Sequence, residues 1–546
     1  MIMKNLTPSV ARNLLLLSLI VFSGILMSPK WSLVIAPWVY FTALLYYVRH
    51  NNWKGIMMVI PFLILSSFVA QTKVMPMPYM AVLFMMTIGS IVGLIPLLLE
   101  KLFFNNLPKW SRTLAFPILM TGFNYIFDMG PQGTWGNTAY TQFSWLSLMQ
   151  LASITGIYGI NFIIYWGAST GVEWINSYNS LEKRTSMHYI MPIVLTVVVL
   201  TGYARLNSGE SDEAYTKSRM ASITLDNLSI SKAMYKATYD KDINVPWRLN
   251  QSDPILQEAQ KGILAFMSDP EASKYDIVYK EIDHVFNRYI EATRTAATRG
   301  AKVVTWSEAA IINTKKNETK YEDIVSNLAD SLDTYIFYPT AVFHPEKVGK
   351  EAEFIENKVL TYGPDGSLLN TYYKNIPVMG VEPSFPGDGN IPVIKTPYGN
   401  LSPIICYDAD HPDLIAQVQN KETDVLVVPT GDWDAISPYH TQMAAVRCIE
   451  NGVSMIKSTS NGLSAMIDDK GRLLKTLDYF TTTGSRILVH DMKINKTHTF
   501  YSVCQPLFIK GLGYGFLICL LYVLFKGIFR RRFKHQQEIT PQLHVS

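Results

Sequence analysis

Eight apolar segments constrain this chain more than any other feature. Seven crowd into the first 205 residues, at roughly 13–28, 31–48, 55–71, 78–99, 111–128, 156–176 and 188–204, and the eighth runs from about 507 to 528. One such stretch could be a buried core helix, but eight in series make that improbable. Several are shorter than the ~20 residues that an upright span needs, so their boundaries are soft. The expected organisation is a multi-pass α-helical membrane domain over 1–205 with about seven transmembrane helices and a soluble domain over 206–503. A C-terminal transmembrane helix over 504–529 and a basic tail over 530–546 complete it.

Lys4 and Arg12 precede the first apolar run, as in a signal peptide. The exit, Met27-Ser28-Pro29-Lys30, lacks a small-x-small cleavage pattern, and more apolar segments follow at once, so a retained anchor is expected. Counted in alternate loops, one side receives Lys4, Arg12, Arg49, Lys54, Lys101, Lys109, Arg112, Lys183, Arg184 and the tail Arg530-Arg-Arg-Phe-Lys534. The other side's short loops hold Lys30 and Lys73, and 129–142 holds no Lys or Arg. Positive charge marks the cytoplasmic side, which puts both termini in the cytoplasm and the 206–503 domain outside it. This parity depends on the count of seven. The net charge of +4 comes largely from clusters beside apolar segments and gives little support for nucleic-acid binding. Cys406, Cys448, Cys504 and Cys519 fit neither a disulfide framework nor a zinc site, and no histidine-rich cluster suggests a metal.

Between the spans the pattern changes to that of an α/β domain. A strand is expected at 220–225, a long helix at 275–299 and a short strand at 302–306 that delivers Glu308 just beyond its end. A hairpin turning at Pro364-Asp-Gly366 returns to Lys374, and a second, through Pro397-Tyr-Gly399, returns to Cys406. A buried strand at 425–429, a helix from Ser437-Pro438 to Asn451-Gly452 and a last hairpin at Asp468-Asp-Lys-Gly471 follow.

The apolar run from Leu401 stops at Cys406, a polar turn follows through Asp410-His-Pro412, and Leu414 reads as the opening of a helix. Such an elbow would set the thiol near a helix N-terminus, where dipole and free N–H groups favour the thiolate. A single cysteine is more often a small core residue. Glu308 and Lys374, however, also stand at strand ends, and strand ends along one sheet edge can converge. A thiol, a carboxylate and an amine suit nucleophilic acyl transfer: Cys406 attacks a carbonyl, Glu308 is general base and then acid, and Lys374 stabilises the oxyanion. Isolated Glu and Lys residues are usually solvated, and spacing alone does not decide between the two.

Five motifs bear on that choice. Trp306-Ser-Glu308-Ala-Ala, Tyr373-Lys374 with Glu382 eight residues on, Ile405-Cys406-Tyr407-Asp408, Phe385-Pro-Gly-Asp388 and Ser460-Asn461-Gly462-Leu-Ser-Ala-Met-Ile-Asp468 together resemble the nitrilase (carbon–nitrogen hydrolase) superfamily. With membrane segments on both sides, and with Gln142-Phe-Ser-Trp through Gly156-Ile-Tyr-Gly-Ile-Asn161-Phe, the chain is similar to the apolipoprotein N-acyltransferase family. The resemblance implies an α-β-β-α sandwich, a Glu308–Lys374–Cys406 triad, Glu382 as a second, structure-holding glutamate, and supporting places for Tyr407, Asp408, Trp433 and Asn461. It implies no cofactor and no metal. The implied acyl donor is a phospholipid and the acceptor a diacylglyceryl lipoprotein, at the periplasmic face of a bacterial inner membrane. Ser307 stands where the family usually has Pro, Asp408 where it has Glu, Gly431-Asp-Trp433-Asp-Ala-Ile-Ser437 departs from the usual Trp-Phe-Gly stretch, and about 235–275 is an insertion. Two other readings stay open: a membrane-tethered amidase, with water as acceptor, and an inactive membrane scaffold.

Overall fold

The computed structural model describes residues 8–104, 107–108, 111–180, 187–208, 216–244, 254–494, 497–504 and 510–522. The basic tail, most of the linker after Ser208, the middle of the insertion, and Lys4, Lys109, Lys183 and Arg184 lie outside them. Each of the seven apolar segments falls on helix: Pro8–Leu26, Ala36–His50, Trp53–Met57 with Ile60–Gln71, Tyr79–Val92 with Ile95–Phe104, Arg112–Asp128, Ile157–Ser180 and Met187–Asn207. The eighth is described as the helix Lys510–Tyr522. Among the described residues, Ser9–Leu26, Trp53–Gln71, Tyr79–Phe104 and His188–Asn207 are long and apolar enough to cross a membrane, and Leu146–Thr155 with Ile157–Asn179 is a pair bent by 119°. Ala36–His50 and Arg112–Asp128 have only 15 and 17 residues.

Ile157–Ser180 is the bundle's central post. Ile157, Ile160, Ile164, Tyr165, Ala168 and Val172 recur at helical spacing and are all buried. Flanking helices turn large apolar side chains outward, with Phe22, Met80, Phe84 and Leu200 more than 60% exposed. That inversion is stable only if hydrocarbon, not water, covers the outside. At one end of the bundle Arg49 bridges Glu100 at 2.6 Å and Glu173 at 2.7 Å. Beside it Lys101 Nζ donates to the carbonyls of Val48, Arg49 and Asn51, closing the end of Ala36–His50. Two cations counted among the loop charges are therefore partners inside the bundle's end.

The remaining chain forms two facing sheets. The first holds β1 (Lys217–Ile223), β2 (Val303–Trp306), β3 (Ile311–Thr314), β4 (Tyr335–Phe343), β5 (Ile355–Tyr362) and β6 (Leu368–Tyr373). The second holds β7 (Ile394–Thr396), β8 (Gly399–Pro403), β9 (Val425–Gly431), β10 (Ser454–Ser460), β11 (Leu463–Ile467) and β12 (Leu473–Asp478), while β13 (Ile487–Lys493) returns to pair with β1. The order is β13-β1-β2-β4-β5-β6, with β3 on β4, facing β12-β11-β10-β9-β8-β7. Period-two alternation sorts the side chains. Met220, Val303, Phe337 and Val359 point to the second sheet, whereas Ala221, Val304, Ile336 and Leu360 pack under the helices Asp276–Thr298 and Glu318–Leu332. On the far side of the second sheet lies the helix Tyr439–Asn451, so the layers are α-β-β-α.

That last helix joins the two halves. Ala444, Ala445 and Cys448 face the sheet, while Tyr439, Met443, Val446 and Ile449 enter the apolar core of the membrane bundle. Arg447 Nη2 donates to Tyr140 Oη at 2.9 Å, and Glu450 Oε1 accepts from the Ile157 N–H at 3.0 Å. Two expectations are corrected. The first strand runs from Lys217 to Ile223, starting before the expected Met220, and Thr224 N bonding Arg486 O only extends its register with β13 by one residue. No single helix opens at Leu414; a 3-10 turn, Cys406–Asp410, precedes two four-residue helices, Pro412–Ile415 and Gln417–Asn420.

Candidate active site

Four strand ends supply the site. β2 runs out at Trp306 and leaves Glu308 two residues on; β6 ends at Tyr373 and leaves Lys374; β8, extended through Ile404 N bonding Val427 O, leads to Cys406; β9 ends at Gly431. Lys374 Nζ lies 2.9 Å from Glu308 Oε1 and 2.5 Å from Glu382 Oε2. Asn357 Nδ2, from the middle of β5, donates to both glutamates at 2.8 Å. The second oxygen of Glu308 accepts from Gly431 N at 2.8 Å. Glu382 is held further by Ser384 Oγ at 2.9 Å and Val378 N at 3.2 Å. Burial by itself would strip Lys374 of its proton, but Glu308 and Glu382 outweigh it and hold the amine protonated.

Cys406 is buried, has the left-handed backbone conformation (φ +48°) and directs Sγ toward Gly431 O at 3.8 Å. A non-glycine residue in this region is strained and needs its surroundings to hold it. Asp408 does much of that: it accepts from Tyr372 Oη at 2.7 Å, Ile376 N at 2.8 Å and Ile405 N at 3.0 Å, and burial pushes its carboxyl up to about 6. The expected thiolate is not the resting state. Burial and the Glu308 charge push the thiol well up, outweighing Lys374 and Lys457, and a five-residue turn offers no long helix dipole to oppose them.

Behind the thiol is a group that sequence reasoning did not single out. His440 Nδ1 lies 2.6 Å from Asp432 Oδ1, and its Nε2 is 3.3 Å from Asp410 Oδ1. Lys457 Nζ approaches Asp432 Oδ2 at 3.5 Å. Burial would lower the His440 imidazolium, but Asp432 and Asp410 outweigh it and raise it to about 9. Cys406, Asp432 and His440 present polar atoms within 4.8 Å of one another, a spacing that a metal could use. The donor set does not call for one, since His440 and Lys457 already supply the positive charge that Asp432 needs.

The site opens into a cavity of about 430 Å³. One wall comes from the α/β half: Glu308, Lys374, Glu382, Cys406, Gly431 and His440. The other comes from the membrane half: Val74, Met75, Pro76, Met77, Met85 and Trp135. Tyr407 and Trp433 also line it and fasten the halves together. Tyr407 Oη donates to Pro131 O and Trp433 Nε1 to Val74 O, both at 3.1 Å. Asp408 sits behind the elbow. Asn461 makes the tight β10–β11 turn (φ +53°), next to Ser460, whose carbonyl accepts from Asp432 N at 2.9 Å, and it does not line the cavity. Asn357, Asp432 and His440 are additions; they stand inside a strand, after one and inside a helix, where no local pattern marks them.

Residues 22–170 match the apolipoprotein N-acyltransferase N-terminal domain, and residues 272–500 match the carbon–nitrogen hydrolase family. An apolipoprotein N-acyltransferase of Geobacter metallireducens is 22% identical over 423 residues, covering 72% of this chain and 70% of that protein. One of Borreliella burgdorferi is 24% identical over 473 residues, covering 80% of each. Among solved structures, an amidase from Nesterenkonia sp. aligns at 17% identity over 39% of this chain and 86% of its own, with a TM-score of 0.33.

Proposed function

The chain belongs to the apolipoprotein N-acyltransferase family of carbon–nitrogen hydrolases, and from that premise we propose that Cys406 carries an acyl chain from a phospholipid to the amine of a diacylglyceryl lipoprotein. In the first half-reaction the Cys406 thiol adds to the ester carbonyl while Glu308 takes its proton. The oxyanion forms beside the Lys374 ammonium, and collapse expels the lysophospholipid alcohol, which receives the proton from Glu308. In the second, the lipoprotein amine attacks the thioester and Glu308 accepts the amine proton. Collapse forms the amide, and the proton returns to the departing Cys406 sulfur. Because the resting thiol is held neutral, attack depends on the base, and Glu308 is fixed for that task by Lys374, Asn357 and Gly431 N.

One observation carries this reading over hydrolysis. The cavity around Cys406 is walled on one side by Val74, Met75, Met77 and Met85 from the membrane half. An apolar wall disfavours water as the acceptor and suits substrates held in lipid by acyl chains. The orientation has support of its own. Loops carrying Val74 and Pro131 face the catalytic domain and hold only Lys73 between them, while Arg49 and Lys101 lie at the opposite end of the bundle. We take that basic end as cytoplasmic and the catalytic domain as periplasmic.

The test supplies purified protein with acyl-labelled phospholipid and a diacylglyceryl-cysteine peptide. Label should appear first as a thioester on Cys406 and then as peptide amide, and Cys406→Ala should abolish both. Release of free fatty acid with no labelled peptide would replace this reading by a lipid-anchored hydrolase, and no thioester at all would leave a scaffold.

A further inference from the structure

The buried charges behind Cys406 have a geometry that the two half-reactions above do not use. Asp410 closes the turn that carries the nucleophile, and Asp432 follows Gly431, the residue whose N–H holds Glu308 and whose carbonyl faces Sγ. The His440 ring stands between them, 2.6 Å from Asp432 Oδ1 and 3.3 Å from Asp410 Oδ1. All three side chains are buried, and neither Asp410 oxygen nor His440 Nε2 has a hydrogen-bond partner among the described residues, so the 3.3 Å approach between them is an ion-pair contact. A buried carboxylate without such a partner is costly unless a cation stands beside it. A neutral imidazole carries no charge and so offers nothing to a carboxylate that it does not hydrogen-bond, whereas an imidazolium is that cation. We propose that His440, as an imidazolium bridging Asp410 and Asp432, is a positioning residue that locks the turn bearing Cys406 to the strand end bearing Gly431.

The proposal rests on the acyl-transfer reading only for its choice of assay. The groups around the ring come from every element packed on it. The turn contributes Asp410 and Cys406, the end of β9 contributes Asp432, and β10 contributes Lys457, which reaches the ring through Asp432. The membrane loop presents the Trp135 ring, 6.1 Å away and edge-on, and the helix of His440 itself adds Tyr439 and, two turns on, Arg447. Burial would lower the pKa of His440, but Asp432 and Asp410 raise it to about 9, so the bridge is intact at neutral pH and comes apart as pH rises through that value.

Full-length protein in lipid bilayers tests this, with thioester formation on Cys406 measured from pH 6.5 to 10 alongside iodoacetamide alkylation of the same residue. In the wild type, thioester formation should fall by about tenfold one pH unit above the imidazolium value. His440→Gln should be slow at every pH with no such fall, and its alkylation profile should move to higher pH because a cation near the sulfur is gone. His440→Lys, a cation that keeps its charge at higher pH, should recover part of the rate and flatten the basic fall. A His440→Gln protein with wild-type profiles in both assays overturns the proposal. If neither variant folds, the wild type decides, and thioester formation that does not decline up to pH 10 overturns it. Alkylation needs no acyl donor. A shifted alkylation profile in a protein that forms no thioester would leave the positioning role standing and remove the acyl-transfer reading instead.

Discussion

At the scale of single residues, the site is a set of charges held by neutral donors. Asn357 is the most telling of these, because one Nδ2 group serves Glu308 and Glu382 together. A hydrogen bond to a charged group contributes about 1.5–3 kcal/mol, so Asn357→Ala should lower kcat by roughly 10- to 100-fold while leaving the phospholipid KM nearly unchanged. An equal loss in both parameters, or none, would mean that Asn357 does not orient the base. Glu308 and Lys374 push the Cys406 thiol in opposite directions, which separates their roles. Lys374→Met should shift the alkylation profile of Cys406 to higher pH, and Glu308→Gln should shift it to lower pH. Identical profiles in the three proteins would show that these charges do not act on the sulfur. Glu308, Lys374 and Cys406 stood out in sequence because each follows a strand-like run, but it was the motif resemblance and not the spacing that joined them as a triad. Asn357 was not, since a polar residue inside a strand looks like an ordinary outward-facing position until the partner strands are placed.

At the scale of elements, the turn that carries Cys406 is braced from the membrane side. Thr134 N and Oγ1 both donate to Asp410 O, and Gly133 approaches so closely that an added Cβ would lie 2.7 Å from that oxygen. Gly133 also has φ +55°, where a side chain is strained in any case. Gly133→Ala should therefore push the membrane loop off the Cys406 turn. It should lower thermal stability by about 1–3 kcal/mol and slow thioester formation, whereas Gly136→Ala, with φ +75° but nothing within 4 Å of its Cβ, controls for backbone strain alone. Equal effects from the two substitutions would remove the bracing role. The expected helix at Leu414 failed here for a local reason: Pro412 and the turn before it leave only four-residue helices, too short to sustain a dipole.

At the scale of the whole molecule, the halves share one core. Tyr439, Met443, Val446 and Ile449 belong to the bundle's apolar cluster, and Arg447 with Glu450 is fully buried beside Tyr140 and Ile157. A fragment spanning 206–503 alone would expose that face and leave two charges without their membrane partners. It should aggregate or bind detergent, and Cys406 in it should form no thioester; a monomeric, active fragment would contradict the shared core. The orientation has its own test. A reporter fused after Ser546 should be cytoplasmic and one inserted near Ser208 periplasmic, and finding both on one side would overturn the proposed topology.

Sequence alone determined the features set by local composition. Apolar runs specify helices in lipid and period-two runs specify strands, so the helical membrane half, the α/β half and their order along the chain follow from short windows. Tertiary structure decided what depends on distance between remote residues. It brings Lys374 within 2.9 Å of Glu308, places Val74 and Pro131 against Trp433 and Tyr407, and clamps His440 between aspartates from two other elements. It also decided the state of the thiol. Charge on a side chain follows from burial and from neighbours across the sheet, and neither is written in the residues on either side of Cys406.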